Sequence, residues 1–569
     1  MRSSLITAVG LFNFVFSAAA SVLPRQAPQS PTVQVTNGTV EGLYSSSYSQ
    51  DHFLGIPFAQ PPTGSRRFDH PHSINESWTS TLSATSYGPI CPNYLLNIGI
   101  DPLDITYEQS EDCLTLNIVR PAGIDSNAKL PVMFWIYGGA FQEGGGADGR
   151  YNMSYMVQNS VDMGMPTIMV NFNYRLGGWG FLAGDDVKSA GKLNGGLLDQ
   201  RMALQWVHEN IEAFGGDPGN VTIFGESAGA ASVGFHLLAY GGRDDGLFQA
   251  AIAESGGPFY YGSFPSDESS QTQYAAVLAG TNCTTSTDTL ECLRSSSFTD
   301  LDAVFATQWW VPSVDGDFIP QYNSLSLASG NFINVPLLIG TNTDEGKLFT
   351  GYGVNSTEEF AEAVLTNTFN RPQSNATLDL ILEAYPFPGA ASAAGASDDS
   401  IIPSAPYGEQ YMRMARYLGD SLFIAGRRYT CQVWNDNNLP VYSYRFNTIP
   451  AGADPIIWGA THYLEVGFVF DNVPGTGMDT SSFAIEDSDR RQKYLALGQL
   501  MSRMWLSFAN THSPNNHQIS NFTTEWPLYS ADAPTNIVFD GNTTSYIESD
   551  NWRTDALNIF IDNALDFSR

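Results

Sequence analysis

The stretch Gly225-Glu226-Ser227-Ala228-Gly229 constrains this chain more than any other. A short apolar run, Val221–Phe224, precedes it, and Ala230–Ala239, whose composition suits a helix, follows. A serine between small residues at a strand-to-helix junction sits on a sharp turn, and flanking glycines let neighbouring backbone approach closely. The helix start then offers unpaired N–H groups where negative charge develops. With 53 glycines in the chain, the bare pentapeptide says little. The strand before it and the helix after it turn it into a nucleophile at the carboxyl edge of a sheet.

Other short apolar runs supply that sheet: Pro131–Tyr137, Thr167–Asn173, Pro336–Gly340 and Val441–Phe446. Between the second of these and Val221–Phe224, the spacing of Leu197, Leu198, Met202, Trp206, Ile211 and Phe214 predicts a helix over Leu197–Phe214, stopped by Gly215–Gly219. Strands alternating with helices predict an α/β fold with a large, mostly parallel central sheet flanked by helices. At 569 residues the chain exceeds the size at which one core usually stops growing, about 250–300 residues. A long α/β sheet accommodates such length, and no linker or repeat divides residues 31–569, which are expected to form one catalytic domain. The Ala-, Ser- and Gly-rich stretch Gly389–Ser400 reads as a surface loop.

A serine hydroxyl needs a base, and in this kind of sheet the acid and then the histidine follow the serine in the chain. That order excludes His52, His70, His72 and His208, and places His236 on the helix just after the serine. His512 and His517 lie in a polar stretch expected to be an exposed loop. His462 remains, in a segment that follows the strand Val441–Phe446. The acid is expected just after Pro336–Gly340, where spacing leaves Glu345 and Asp344 both open. Backbone donors for a developing oxyanion are expected from Ala228 and from the loop Gly138-Gly139-Ala140-Phe141. Neither a metal-ligand motif nor a phosphate-binding loop is present, so no metal and no cofactor are expected.

Charge and targeting narrow the setting. A net charge of −32, from 26 basic against 58 acidic residues, argues against nucleic acid and anionic membranes as partners. Arg2, the apolar stretch Leu5–Phe16 and Ala18-Ala19-Ala20 have the form of a signal peptide over residues 1–20. No other segment reads as an integral membrane span, so the protein is expected outside the cell. Glycosylation sequons stand at Asn37, Asn75, Asn152, Asn282, Asn355, Asn375, Asn521 and Asn542; a ninth, Asn220, abuts a buried strand and is discounted. Five cysteines lie at 91, 113, 283, 292 and 431, and their pairing stays open at this level. Oligomeric state is not encoded in any of these features.

With these residues assembled, the chain resembles the type-B carboxylesterases, a family of α/β-hydrolase fold that includes cholinesterases and secreted fungal lipases. The run Phe214–Gly229 matches the family's serine signature, and Glu111–Ile118 its second signature. Gly55–Ala59, Asn173–Gly177 and Leu197–Arg201 are further shared blocks. The resemblance implies Ser227, Glu345 and His462 as a catalytic triad, with Glu345 rather than Asp344 as the acid. It implies Gly139, Ala140 and Ala228 as oxyanion donors, where the family more often has a third glycine than Ala140. It further implies disulfides Cys91–Cys113 and Cys283–Cys292, a structural Arg67–Glu111 ion pair, and an apolar strand-like run Val466–Phe470 after the histidine.

The implied activity is hydrolysis of carboxylic esters through an acyl-enzyme, on a small-molecule ester or lipid. The Cys91–Cys113 loop is short beside the lids of fungal lipases, which favours soluble esters over long-chain or sterol esters at a lipid interface. Its Leu95, Leu96, Ile98 and Ile100 suit either a small flap or packed core. Some members of the family lack the triad and serve as binding modules. All three residues are present here.

Overall fold

The computed structural model describes residues 30–94, 96, 107–387 and 401–569. The expected signal peptide and the whole loop Gly389–Ser400 lie outside these residues, as do Leu95, Ile98 and Ile100. The amino-terminal part of the chain forms short antiparallel pieces: β1 (Thr32–Val35), β2 (Gly38–Glu41), β3 (Leu43–Ser45) and β4 (Gln50–Pro57), with the two-residue β5 (Leu82–Ser83). Then come β6 (Thr115–Pro121), β7 (Leu130–Ile136), β8 (Ile168–Phe172), β9 (Gly216–Glu226), β10 (Ala250–Glu254), β11 (Leu337–Asn342), β12 (Val441–Phe446), β13 (Thr535–Phe539) and β14 (Tyr546–Ser549).

Eleven of these strands make one sheet, in the order β14-β13-β12-β11-β10-β9-β7-β8-β6-β4-β3. From β8 to β13 every pairing is parallel. Antiparallel strands finish the sheet at both edges. The central strands β8, β10, β11 and β12 are buried along their whole length, as expected for a parallel sheet covered on both faces. β1, β2 and β5 form a separate small sheet.

The sequence expectations differ from the observed elements in definable ways. The helix expected over Leu197–Phe214 runs Gly195–Asn210 and tightens into a 3₁₀ turn at Ile211–Phe214. Gly215, at φ 84°, ends it as foreseen, but the strand begins at once, so β9 is eleven residues long. Pairing with β7 accounts for the extra length, because Gly216 is in register with Leu130. Asn220 therefore lies inside a strand. Val466–Phe470 is not strand-like: Val466–Val469 is a short helix packed against the long helix Ser488–Thr511. Ala250–Glu254, followed by the turn Ser255-Gly256-Gly257-Pro258, is not among the strands expected from the sequence and lies between β9 and β11 at the centre of the sheet.

The turn at residues 225–229 shows why both glycines are there. A Cβ on Gly229 would lie 1.9 Å from the carbonyl oxygen of Ile136, and one on Gly225 would lie 2.6 Å from the same atom. Ser227 takes φ 56° and ψ −120°, a conformation costly for a residue with a side chain, and its N–H donates to Glu254 O at 2.9 Å. The helix Ala228–Gly242 starts at the next residue.

Candidate active site

The carboxyl ends of β9, β10, β11 and β12 deliver one residue set each. Ser227 follows β9, Ser255 follows β10, Asn342 ends β11 with Glu345 three residues on, and the segment after β12 brings back His462. Parallel pairing aligns these ends, which is why residues distant in sequence meet here.

Glu345 and His462 are in contact. Glu345 Oε2 lies 2.7 Å from His462 Nδ1, and both residues are buried. The other oxygen, Oε1, accepts from the backbone N–H of Asn342 at 2.7 Å and from Ser255 Oγ at 2.6 Å. Asp344 turns away and accepts from the N–H of Ala460 at 3.0 Å, with Lys347 Nζ at 3.3 Å. The imidazole stacks on Phe423, centroids 4.4 Å apart, and meets the edge of Phe349 at 5.1 Å. Its Nε2 is buried without a hydrogen-bond partner, 3.2 Å from Glu226 Oε1. Ser227 and His462 line the same cleft, of about 180 Å³, without a hydrogen bond between Ser227 and Nε2.

Gly139 and Ala140 border that cleft, and Ala228 begins the helix behind Ser227, where N–H groups have no intrahelical acceptor. Gly139, Ala140 and Phe141 hold φ of 89°, 52° and 64° in succession. A side chain at 139 would meet the carbonyl oxygen of Glu143 at 2.2 Å, so this loop closes only with glycine there. Ala140 fits its positive φ with a methyl group in place.

Four carboxyl groups crowd the base of the site, a feature absent from the sequence expectations. Glu226, Glu254, Glu345 and Glu465 are all buried. Burial, reinforced by the neighbouring carboxylates Glu465, Glu345 and Glu254, pushes Glu226 well above the usual carboxylate range. Burial does the same to Glu254, whose Oε1 accepts from Trp505 Nε1 at 2.8 Å. Glu465 is pushed up to about 8 by burial and by Glu345. Glu465 therefore keeps its proton at neutral pH beside the Glu345–His462 pair. The signal available in the sequence is positional for Glu226 alone, which stands at the end of the strand before the serine.

Two other histidines, His236 and His517, are engaged away from the site. His236 is buried on its helix, 3.0 Å from Gln200 Oε1. His517, expected in an exposed loop, is buried and accepts from the N–H of Ile519, because the segment after the helix Ser488–Thr511 folds back on it.

Disulfides join Cys91 to Cys113 and Cys283 to Cys292, leaving Cys431 free and buried. Arg67 holds Glu111 through two hydrogen bonds of 2.6 and 2.7 Å and donates to the carbonyls of Arg294 and Ser296, tying the two disulfide regions together. Leu96, inside the first disulfide loop, lines the cleft, and its N–H donates to Glu143 Oε2 at 3.0 Å.

The family model described as the carboxylesterase family matches residues 29–554. The chain belongs to the carboxylesterase family. This carboxylesterase is 33% identical to Lipase 2 of Diutina rugosa over 94% of its own length and 97% of that protein's. It is 31% identical to Secreted lipase 1 of Botryotinia fuckeliana, covering 93% and 94% of the two chains. Among solved structures it superposes on Aspergillus niger EstA with a TM-score of 0.80 at 28% identity, covering 95% of this chain and 99% of that one. The carboxylesterase thus has the α/β-hydrolase fold and is a carboxylic ester hydrolase.

Proposed function

We propose that Ser227 is the nucleophile, His462 the general base and Glu345 the orienting acid of a two-step acyl transfer. The observation that carries this reading is the 2.7 Å contact of Glu345 with His462 Nδ1, which leaves Nε2 without a hydrogen bond on a residue that lines the same cleft as Ser227. A carboxylate at Nδ1 keeps the proton there, so Nε2 is the basic nitrogen and takes the serine proton as attack begins. The bond from Oγ to the ester carbonyl carbon forms, and the oxyanion is held by the N–H groups of Gly139, Ala140 and Ala228. His462 then protonates the leaving alcohol. Water, deprotonated by the same nitrogen, releases the acid from Ser227.

The substrate class that this site suits is a soluble carboxylic ester, since the free space beside Ser227 is small. Hydrolysis of long-chain lipid esters is the second reading, favoured by the names of the two lipases above and by Leu96 at the cleft. Two disulfides and the exposed sequons support an extracellular site of action. Among the described residues no helix is long and apolar enough to cross a membrane.

Initial rates on p-nitrophenyl esters from acetate to palmitate, with Ser227→Ala alongside, test both parts. Loss of turnover and of covalent phosphonate labelling in the folded variant is expected; retained hydrolysis would refute the assignment of Ser227. A maximum at short chains supports soluble esters, and a maximum at palmitate supports the lipid reading.

A further inference from the structure

The acid and the base of the proposed triad sit on two segments that regular structure does little to hold. Glu345 opens the 3₁₀ turn Glu345–Phe349 beyond β11, and His462 ends a stretch, residues 447–462, that forms neither helix nor strand. Their 2.7 Å contact therefore depends on what ties the two segments together.

Neutral hydrogen bonds supply part of that tie. Asp344 N–H donates to Ala460 O at 3.0 Å, Asn342 Nδ2 to Thr461 O at 2.8 Å, and Leu348 N–H to Thr461 Oγ1 at 3.0 Å. The Tyr411 hydroxyl reaches both segments, 2.7 Å from Ile457 O and 3.3 Å from Lys347 O.

One charged tie lies among them. Lys347 is 2% exposed, its Nζ has no hydrogen-bond partner among the described residues, and Asp344 Oδ1 balances its charge from 3.3 Å. Asp344 Oδ2 accepts from the N–H of Ala460, two residues before His462. The pair also presses on the backbone at Gly459, where a Cβ would stand 2.3 Å from Asp344 Oδ2 and 2.9 Å from Lys347 Nζ. Asp344 precedes the acid by one residue and Lys347 follows it by two, so the pair brackets Glu345 and grips the histidine segment at 459–460. A buried ammonium has no water to turn to, and it holds the carboxylate in one place.

We propose that the Lys347–Asp344 ion pair is a clasp that sets the distance between Glu345 and His462, which makes Lys347 a positioning residue for the triad. This rests on the reading of Glu345 and His462 as acid and base. Without the ammonium the Asp344 carboxylate loses its hold, and the Ala460 N–H loses a fixed acceptor. The neutral bonds keep the segments joined, but the imidazole shifts against Glu345. Neither Lys347 nor Asp344 lines the cleft beside Ser227, so ester binding is left intact while the geometry of proton transfer suffers.

The test compares wild type, Lys347→Met and the double variant Lys347→Met/Asp344→Asn. It reads kcat and KM on p-nitrophenyl butyrate, the urea midpoint, and the downfield proton resonance of His462 Nδ1–H, assigned by its loss in His462→Ala. Lys347→Met keeps the length of the side chain and removes its charge. It is expected to lower kcat about tenfold with KM within about twofold, and to shift or broaden the resonance. The double variant leaves no buried charge of the pair without its partner, and it serves if the single variant does not fold. Its urea midpoint is expected to return toward wild type while kcat stays low. A folded Lys347→Met with wild-type kcat, a kcat that returns together with the midpoint, or an unchanged resonance beside a lowered kcat would overturn the proposal. Turnover retained in His462→Ala would instead refute the reading of the triad, which separates the two failures.

Discussion

Ser255 Oγ donates a 2.6 Å hydrogen bond to Oε1 of Glu345, a contact made between the ends of two adjacent parallel strands. Glu345 is the proposed acid, so this hydroxyl acts on the histidine at one remove. A hydrogen bond to a charged group contributes about 1.5–3 kcal/mol. Ser255→Ala is expected to lower kcat by about tenfold or more while KM stays near its wild-type value. A variant with normal kcat would show that the Asn342 N–H alone holds the carboxylate in place.

The buried carboxyl of Glu465 links stability to pH. Glu465 is held at about 8, far above its unfolded value, so the folded state keeps a proton that the unfolded chain releases. Stability from this group is complete below about pH 4.5 and falls as pH rises toward 8, at up to about 1.4 kcal/mol per pH unit. Thermal midpoints of wild type are therefore expected to drop between pH 5 and pH 8. Glu465→Gln, which copies the neutral acid, should flatten that slope. Parallel slopes in the two proteins would argue against a buried proton at Glu465.

Asp550 shows the opposite sign. Burial alone would raise it, but Arg427 and Arg428 pair with it at 2.7 and 2.9 Å and hold it at about 2. Its contribution is present above about pH 3.8 and is lost as pH falls through 2. Asp550→Asn leaves two buried guanidinium groups without their carboxylate and is expected to cost about 3–5 kcal/mol at neutral pH, measured by urea unfolding. A cost below about 1 kcal/mol would mean that water or neighbouring groups replace the pair.

Gly229→Ala is expected to abolish soluble expression or activity altogether. Its methyl group would sit 1.9 Å from the Ile136 carbonyl, backbone against backbone, with no flexible side chain to yield. Circular dichroism and phosphonate labelling of any soluble fraction would check this, and a folded, fully active variant would contradict the steric argument.

Sugar occupancy should follow side-chain engagement. Asn37 Nδ2, the atom a glycan would modify, already donates to the carbonyls of Ile74 and Glu76, and Asn152 caps a helix. Asn75, Asn282, Asn375, Asn521 and Asn542 are exposed. Peptide mapping of protein from a eukaryotic host is expected to find glycans on the exposed group and little on Asn37 or Asn152. Full occupancy of Asn37 would show that modification precedes the formation of its contacts.

Much of the site was legible because its signals are local. The turn at Ser227 is written in five consecutive residues, since a strained strand-to-helix junction has to place glycine at the two positions where the Ile136 carbonyl approaches. His462 emerged from chain order and elimination. The choice of Glu345 over Asp344 needed the family resemblance, because two adjacent carboxylates carry the same local information. In the structure they face opposite ways.

The sequence by itself determined the elements and the order in which chemistry-bearing residues appear along them, because periodicity, turn residues and glycine placement act over a few residues. Tertiary structure alone decided which of those residues touch. Glu226, Glu254, Glu345 and Glu465 are spread over some 240 positions, and nothing local marks them as neighbours. They meet because β9, β10 and β11 lie side by side with aligned ends and the segment after β12 folds back over them. Burial and mutual repulsion, which set their protonation, exist only once that packing is complete.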